Sequence, residues 1–258
     1  MHVLGLATGP GVPADAVADR LTADLPGSVA VLERSADAGG ERTRYELGPD
    51  GATVSRPNGD FLGALDDLAR DHDYAVLVGF ADVNVPHVVV GDADAETALV
   101  RVSTPADLDT AAVVRALDDH DEHESLQSLV TEVTREPSAE FAGAIATFTG
   151  IVREREHPED DRTESLTFEK YEGVAAERLA RIRDELEGRE GVHEVRLHHR
   201  TGRIEAGEDI VFVVVLAGHR REAFETVEDG IDRLKDEVPI FKKELTVEDE
   251  FWTHERDA

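Results

Sequence analysis

The sequence predicts two units: an α/β unit with a mostly parallel sheet, then an α+β unit with antiparallel strand pairing. Three observations carry this. The 258 residues suggest two domains at roughly 100 to 200 residues each. Strand-like and helix-like runs alternate in the first half, as in βαβ crossovers, but mix without that alternation in the second. Between the halves, Asp118-Asp119-His120-Asp121-Glu122-His123-Glu124 has no apolar periodicity and reads as a solvated linker. The boundary falls near residue 122, giving domains 1–122 and 123–258.

In the first half, Val3 to Ala7 is a short apolar run that reads as a strand. Thr8-Gly9-Pro10-Gly11 follows, then a helix opened by Pro13 with Val17 and Leu21 on one face. Val29 to Leu32, Tyr74 to Phe80 and Val88 to Val90 read as strands, Phe61 to Leu68 and Leu108 to Leu117 as helices. Gly9-Pro10-Gly11 sits where a phosphate-binding loop would. A working loop of that kind needs Gly-x-x-x-x-Gly-Lys-Ser/Thr, and here the lysine, the hydroxyl and the first glycine are missing. The unit resembles the small P-loop accessory protein of molybdenum-cofactor nucleotide attachment with its chemistry erased, a degenerate P-loop-like α/β unit. A structural or partner-docking role is favoured over nucleotide binding.

In the second half, Leu126 to Val133 reads as a helix. Phe141 to Arg153 reads as a small-residue strand ending in a cation, followed by a polar loop from Glu154 to Glu164. A strand (Leu166 to Tyr171), a helix (Ala175 to Leu186), a strand (Val195 to His199) and a strongly apolar strand (Ile210 to Leu216) come next. The last helix begins after His219 and sets Phe224, Val227, Ile231, Leu234 and Val238 in one apolar stripe, with Pro239 ending it.

With 27 Lys+Arg against 57 Asp+Glu the formal charge is −30, which excludes a general nucleic-acid binder. The absence of cysteine removes disulfides, thiolate nucleophiles and Cys-ligated metal, so sulfur chemistry here must use sulfur brought by a partner. No apolar run approaches the roughly 18 residues that span a bilayer, and the start lacks a basic leader, so the expectation is a soluble cytoplasmic protein. The only lysines are Lys170, Lys235, Lys242 and Lys243, a balance that suits a halophilic cytoplasm. Against it, three lysines between 235 and 243 stand out as functional candidates. His193, His198 and His199 do not form a metal site by spacing, because adjacent strand residues face opposite ways.

Four clusters place cations at element ends: Phe148-Thr149-Gly150-Ile151-Val152-Arg153, His199-Arg200-Thr201-Gly202, Gly218-His219-Arg220-Arg221-Glu222-Ala223-Phe224, and Leu234-Lys235 through Pro239-Ile240-Phe241-Lys242-Lys243-Glu244. His219 and Arg220 at a helix start add free N–H groups and the helix dipole, which favour a phosphate. If they converge, a compact anionic ligand is implied.

In this order the clusters resemble the large, catalytic subunit of molybdopterin synthase over roughly residues 124 to 255, with Trp252 matching the family's closing tryptophan. The resemblance implies conversion of cyclic pyranopterin monophosphate into molybdopterin by installing a dithiolene. The sulfur would arrive as a thiocarboxylate on the C-terminal Gly-Gly tail of a small ubiquitin-like carrier. It implies Lys235 and Lys242 as catalytic, with Ile151, Val152, Arg153, His219, Arg220, Lys243 and Glu244 binding substrate. It implies no resident cofactor or metal, and a homodimer at the core of a heterotetramer. The apolar strand Ile210 to Leu216 also suggests a dimer. Two other readings stay open: a scaffold that binds the carrier without catalysis, and a nucleotide-binding accessory factor.

Overall fold

The computed structural model describes residues 1–35, 44–48, 51–55, 60–118, 120–246 and 250–253. They form two compact units, Met1–Ser125 and Leu126–Ala258.

The first unit runs β1 (His2–Thr8), α1 (Ala14–Asp24), β2 (Val29–Glu33), β3 (Arg44–Gly48), β4 (Gly51–Ser55), α2 (Phe61–Ala69), β5 (Tyr74–Val78), β6 (His87–Val90), β7 (Ala98–Val102) and α3 (Thr110–Leu117). Five strands pair in the order β2-β5-β1-β6-β7, every pair parallel. On one side Leu4 and Leu6 meet Val17 and Leu21 of α1 and Val113 and Leu117 of α3. On the other, Val3, Ala75 and Leu77 meet Leu65 and Ala69 of α2. Burial on both faces explains why β1 and β5 read as unbroken apolar runs. The β3–β4 hairpin and β7 were not predicted. Strand β7 carries Arg101, which interrupts its apolar run.

Gly9 lies in the turn between β1 and α1, where a Cβ would come within 2.5 Å of the Asp92 backbone nitrogen. The glycine is required by this close approach of two loops. Asp15 in the first turn of α1 adds a charge that repels phosphate.

The stretch expected to be a solvated linker is instead clamped within this unit. The Met1 amino group donates to Glu122 at 2.8 Å and to Glu124 at 3.0 Å, and His123 Nε2 lies 2.7 Å from Asp66 Oδ1. Burial works against the ammonium charge, but Glu124 and Glu122 outweigh it and hold the amine's pKa above its ordinary value. Fixed partners distant in sequence are invisible to a periodicity reading. Asp119 lies outside the described residues.

The second unit runs α4 (Leu126–Arg135), β8 (Ala144–Ile151), β9 (Thr163–Lys170), α5 (Glu172–Glu187), β10 (Val192–His199), β11 (Gly202–Glu205), β12 (Asp209–Ala217), α6 (Arg220–Glu237), β13 (Ile240–Thr246) and β14 (Glu250–Thr253). Two antiparallel sheets form, β10-β12-β8 and β11-β9-β13-β14. The short strands β11 and β14 escaped the sequence reading. No helix among the described residues is long and apolar enough to cross a membrane.

Strand β12 lies at the centre of its sheet. Val211, Val213 and Val215 pack with Ile182 and Leu186 of α5 and Val227, Ile231 and Leu234 of α6. Phe212, Val214 and Leu216 pack with Leu129 and Val133 of α4. Its apolarity is therefore satisfied inside the chain, which corrects its reading as a sign of dimerisation. The stripe on α6 also needs correction. Its core face continues from Val227 to Ala223, whereas Phe224, about 100° round the helix, is 65 % exposed. Helices α5 and α6 are tied by Arg233, which donates to Glu185 at 2.6 Å and Glu237 at 2.7 Å, and by Arg181 to Glu237.

Candidate active site

The predicted site residues fall into two groups. The first gathers where β8 ends and β12 begins. Arg153 lies two residues beyond β8 and pairs with Glu156 at 3.2 Å, both side chains exposed. Such a pair contributes little to stability and exchanges readily for a ligand. Ile151 is 56 % exposed beside it. Val152 is 1 % exposed and packs with Leu166, Phe168 and Ile204, while its N–H donates to Glu208 O and its carbonyl accepts from Gly207. With side chain and backbone both engaged, Val152 anchors the base from which Arg153 projects.

Lys235 reaches the same end from the last turn of α6. It is exposed and, among the described residues, has no hydrogen bond or ion pair. Beyond Pro239, Ile240 starts β13 and packs against the cluster of Val152, Leu166 and Phe168. Lys242 is two residues on, hence on the same side of the pleat, half-buried and opposite Phe168 in register. The Phe168 ring meets His199 edge-on at 4.8 Å, and His199 Nδ1 lies 2.7 Å from Arg200 O. His199 thus braces the residue beside Lys242. Its neighbour His198 stacks on a different ring, Phe212. Lys243, opposite Thr167, points to the other side of the sheet, so it does not share a pocket with Lys242. Glu244 is opposite Leu166 in register.

Gly150 of the Phe-Thr-Gly motif explains itself through packing. A Cβ there would come within 2.5 Å of Val211 Cγ1, beside the register shift where β8 and β12 pair irregularly.

The second group is His219 and Arg220, the N-cap and first residue of α6. Neither side chain has a hydrogen bond or ion pair among the described residues, whereas Arg221 pairs with Glu225 at 2.7 Å. They follow Ala217, at the opposite end of β12 from Asp209. The eight steps of the nine-residue strand at about 3.3 Å, like 18 residues of helix at about 1.5 Å, put roughly 27 Å between the two groups. The expected convergence of all the cations does not occur within one chain. Sequence order carries no distance, and both groups sit at element ends without sitting at the same end.

A parallel α/β unit followed by an antiparallel α+β unit, with cations projecting from both ends of the latter, is the class of protein defined by the structure. Comparison with known proteins narrows it. The family model described as MoaE protein matches residues 119–237. "Probable molybdopterin synthase" of Haloferax volcanii is 50 % identical over 264 residues, covering 99 % of this chain and 100 % of the relative. The molybdopterin synthase catalytic subunits of Pyrococcus abyssi and Escherichia coli are 39 % and 40 % identical over 115 and 116 residues, in each case 45 % of this chain and 76 % of the relative. The chain belongs to the molybdopterin synthase catalytic-subunit family, and its role lies in molybdenum cofactor biosynthesis.

Proposed function

We propose that the second unit installs the dithiolene of molybdopterin. Sulfur passes from the thiocarboxylated Gly-Gly tail of a small ubiquitin-like carrier to cyclic pyranopterin monophosphate. Each transfer exchanges a carbon–oxygen bond of the substrate for a carbon–sulfur bond: at one carbon the oxygen leaves as water, at the other it leaves with the cyclic phosphate, which opens to a monoester. Hydrolysis of each resulting thioester releases the carrier as its carboxylate and leaves the sulfur on the substrate. Two carriers serve one dithiolene. Lys235 moves the proton and Lys242 holds the thiocarboxylate. Arg153, His219 and Arg220 hold the substrate phosphate, with Ile151 beside Arg153.

The observation that carries this reading is Lys235: an exposed cation without a partner among the described residues, in a chain of net charge −30. Arg203 and Arg221, by contrast, pair with Glu205 and Glu225. Since the two cation groups are roughly 27 Å apart in one chain, a site using both takes them from two chains. That favours a homodimer with a carrier docked at each end. Incubation with cyclic pyranopterin monophosphate and thiocarboxylated carrier should yield a dithiolene product by mass spectrometry. Carrier binding without product would leave only a scaffold role.

For the first unit we infer a P-loop-like ancestry without phosphate chemistry, on the position of Gly9-Pro10-Gly11 between β1 and α1 and on Asp15 at the helix start. Equilibrium dialysis with GTP and ATP should find no binding; retention of either nucleotide would overturn this.

A further inference from the structure

His193 begins β10 with nothing to do in the reaction as derived so far. His198 stacks on Phe212, and His199 bonds Arg200 O and meets Phe168, but His193 has no hydrogen bond, ion pair or ring contact among the described residues. It is half-buried, and this sets it apart. The other buried or half-buried histidines of the described residues all have a ring partner, as His2 has in Tyr74, His72 in Leu68 O, His87 in Val85 O and His123 in Asp66. Among the described residues the polar side-chain atoms closed off from solvent without a partner are His2 Nδ1, Arg200 Nε and Glu222 Oε2, so both ring nitrogens of His193 remain open. A half-buried imidazole that is neither satisfied nor enclosed has its bonding capacity left for a ligand.

The backbone aims this ring. Val192 and Val195 both pack in the core beneath α5 and α6, yet residues three apart on a regular strand face opposite ways. A register shift between Val192, opposite Ala217, and Glu194, opposite Leu216, resolves the conflict by placing His193 in β10 as an extra residue. Bulges of this kind re-aim a side chain and are frequent beside active sites. Here the His193 Nε2 lies 3.7 Å from where a Cβ on Gly218 would be. The Gly218 N–H donates to Gly191 O at 2.8 Å, which ties the turn before β10 to the approach of α6. Gly218 directly precedes His219 and Arg220. At 3.8 Å per Cα step, the ring nitrogen is no more than about 9 Å from the His219 Cα, a span filled by a phosphate gripped between two side chains. Glu222, the acidic residue of the same helical turn, packs its Cγ 3.2 Å from the Cβ position of Gly191 and keeps its Oε2 out of solvent.

We propose that His193 is a further substrate-binding residue, whose ring hydrogen-bonds the phosphate of cyclic pyranopterin monophosphate together with His219 and Arg220. This rests on the reading that His219 and Arg220 hold that phosphate. The Arg220 fork bonds two phosphate oxygens, the first N–H groups of α6 favour the anion, and the imidazole adds a donor from a second element, β10. Donors on two elements fix the orientation of the phosphate against the sheet. The carrier's tail has no phosphate, so its binding does not depend on His193.

Titration calorimetry of the full chain with cyclic pyranopterin monophosphate, in molar KCl, reads this directly. His193→Ala should weaken binding by about 10-fold, as loss of a hydrogen bond to a charged group does, with the parent's thermal transition and circular dichroism. His193→Phe keeps the ring's bulk without its nitrogens and should lose as much, while His193→Gln keeps an N–H donor and should recover part of the loss. In turnover the Ala and Phe variants should raise the KM for the pyranopterin and leave the half-saturating carrier concentration unchanged. Parent affinity in both variants overturns the proposal, and so does parent affinity in His193→Phe alone, which would make the ring a packing element. Arg220→Ala separates the two readings. If it weakens binding while His193→Ala and His193→Phe do not, the phosphate subsite stands without His193; if none of the three weakens binding, the subsite itself is refuted.

Discussion

Lys235 and Lys242 sit on different elements and do different work. Lys235 makes no ion pair among the described residues, and Lys242 stands beside Phe168, whose ring is braced by His199. Removing a group that transfers a proton costs about 100-fold or more in rate. Lys235→Ala should therefore lower dithiolene formation by at least about 100-fold at saturating carrier, whereas Lys242→Ala should chiefly raise the carrier concentration needed. Steady-state kinetics with thiocarboxylated carrier distinguishes these, with unchanged circular dichroism as the control. At this scale the sequence was informative about identity and silent about exposure. The motif Ile151-Val152-Arg153 reads as one binding segment, yet alternation makes its middle residue part of the core. Lys242 and Lys243 likewise look equivalent until the pleat separates them.

Elements bring these residues to their places, and two contacts test how. Gly150 lets β8 approach the Val211 side chain, which is itself in the core between β12 and α6. Gly150→Ala should destabilise the second unit by about 1–3 kcal/mol, as overpacking does, read from the denaturant midpoint. At the far end of α6, bonding from Arg233 and then Arg181 holds the Glu237 carboxyl below its ordinary pKa of 4.5. A carboxylate depressed in the folded state contributes stability that is present above the unfolded value and lost as pH falls through the folded one. Glu237→Gln should cost about 0.5–1 kcal/mol at pH 7 and flatten the fall in stability below pH 4.5, by thermal melts across pH. Most elements were legible from periodicity, and three of the strands that were missed share a cause. Strands β7, β11 and β14 are short and charged, and strand pairing that depends on distant partners leaves little local pattern. The linker from Asp118 to Glu124 failed for the same reason, since Met1 and Asp66 lie far away in sequence.

The whole molecule has a formal charge of −30 on 258 residues, and among the described residues arginines such as Arg181, Arg196 and Arg233 are already paired with carboxylates. Repulsion over the remaining surface is screened when the Debye length falls from about 10 Å at 0.1 M salt to about 3 Å at 1 M. Melting temperature should climb steadily with KCl into the molar range, and a flat response would contradict this account of the composition. What the sequence could not convey at this scale was that its four motifs belong to two ends of one sheet. Linear order put them side by side; a strand and a helix of about 27 Å each put them apart. A shared site then has to span two chains. The most direct test mixes Lys235→Ala with Arg220→Ala under conditions that let subunits exchange. Each variant alone should be inactive, while after equal mixing half of all dimers carry both kinds of chain and one intact site of two, restoring about a quarter of the parent's dithiolene formation. No recovery on mixing, or full activity in either variant alone, would contradict the account.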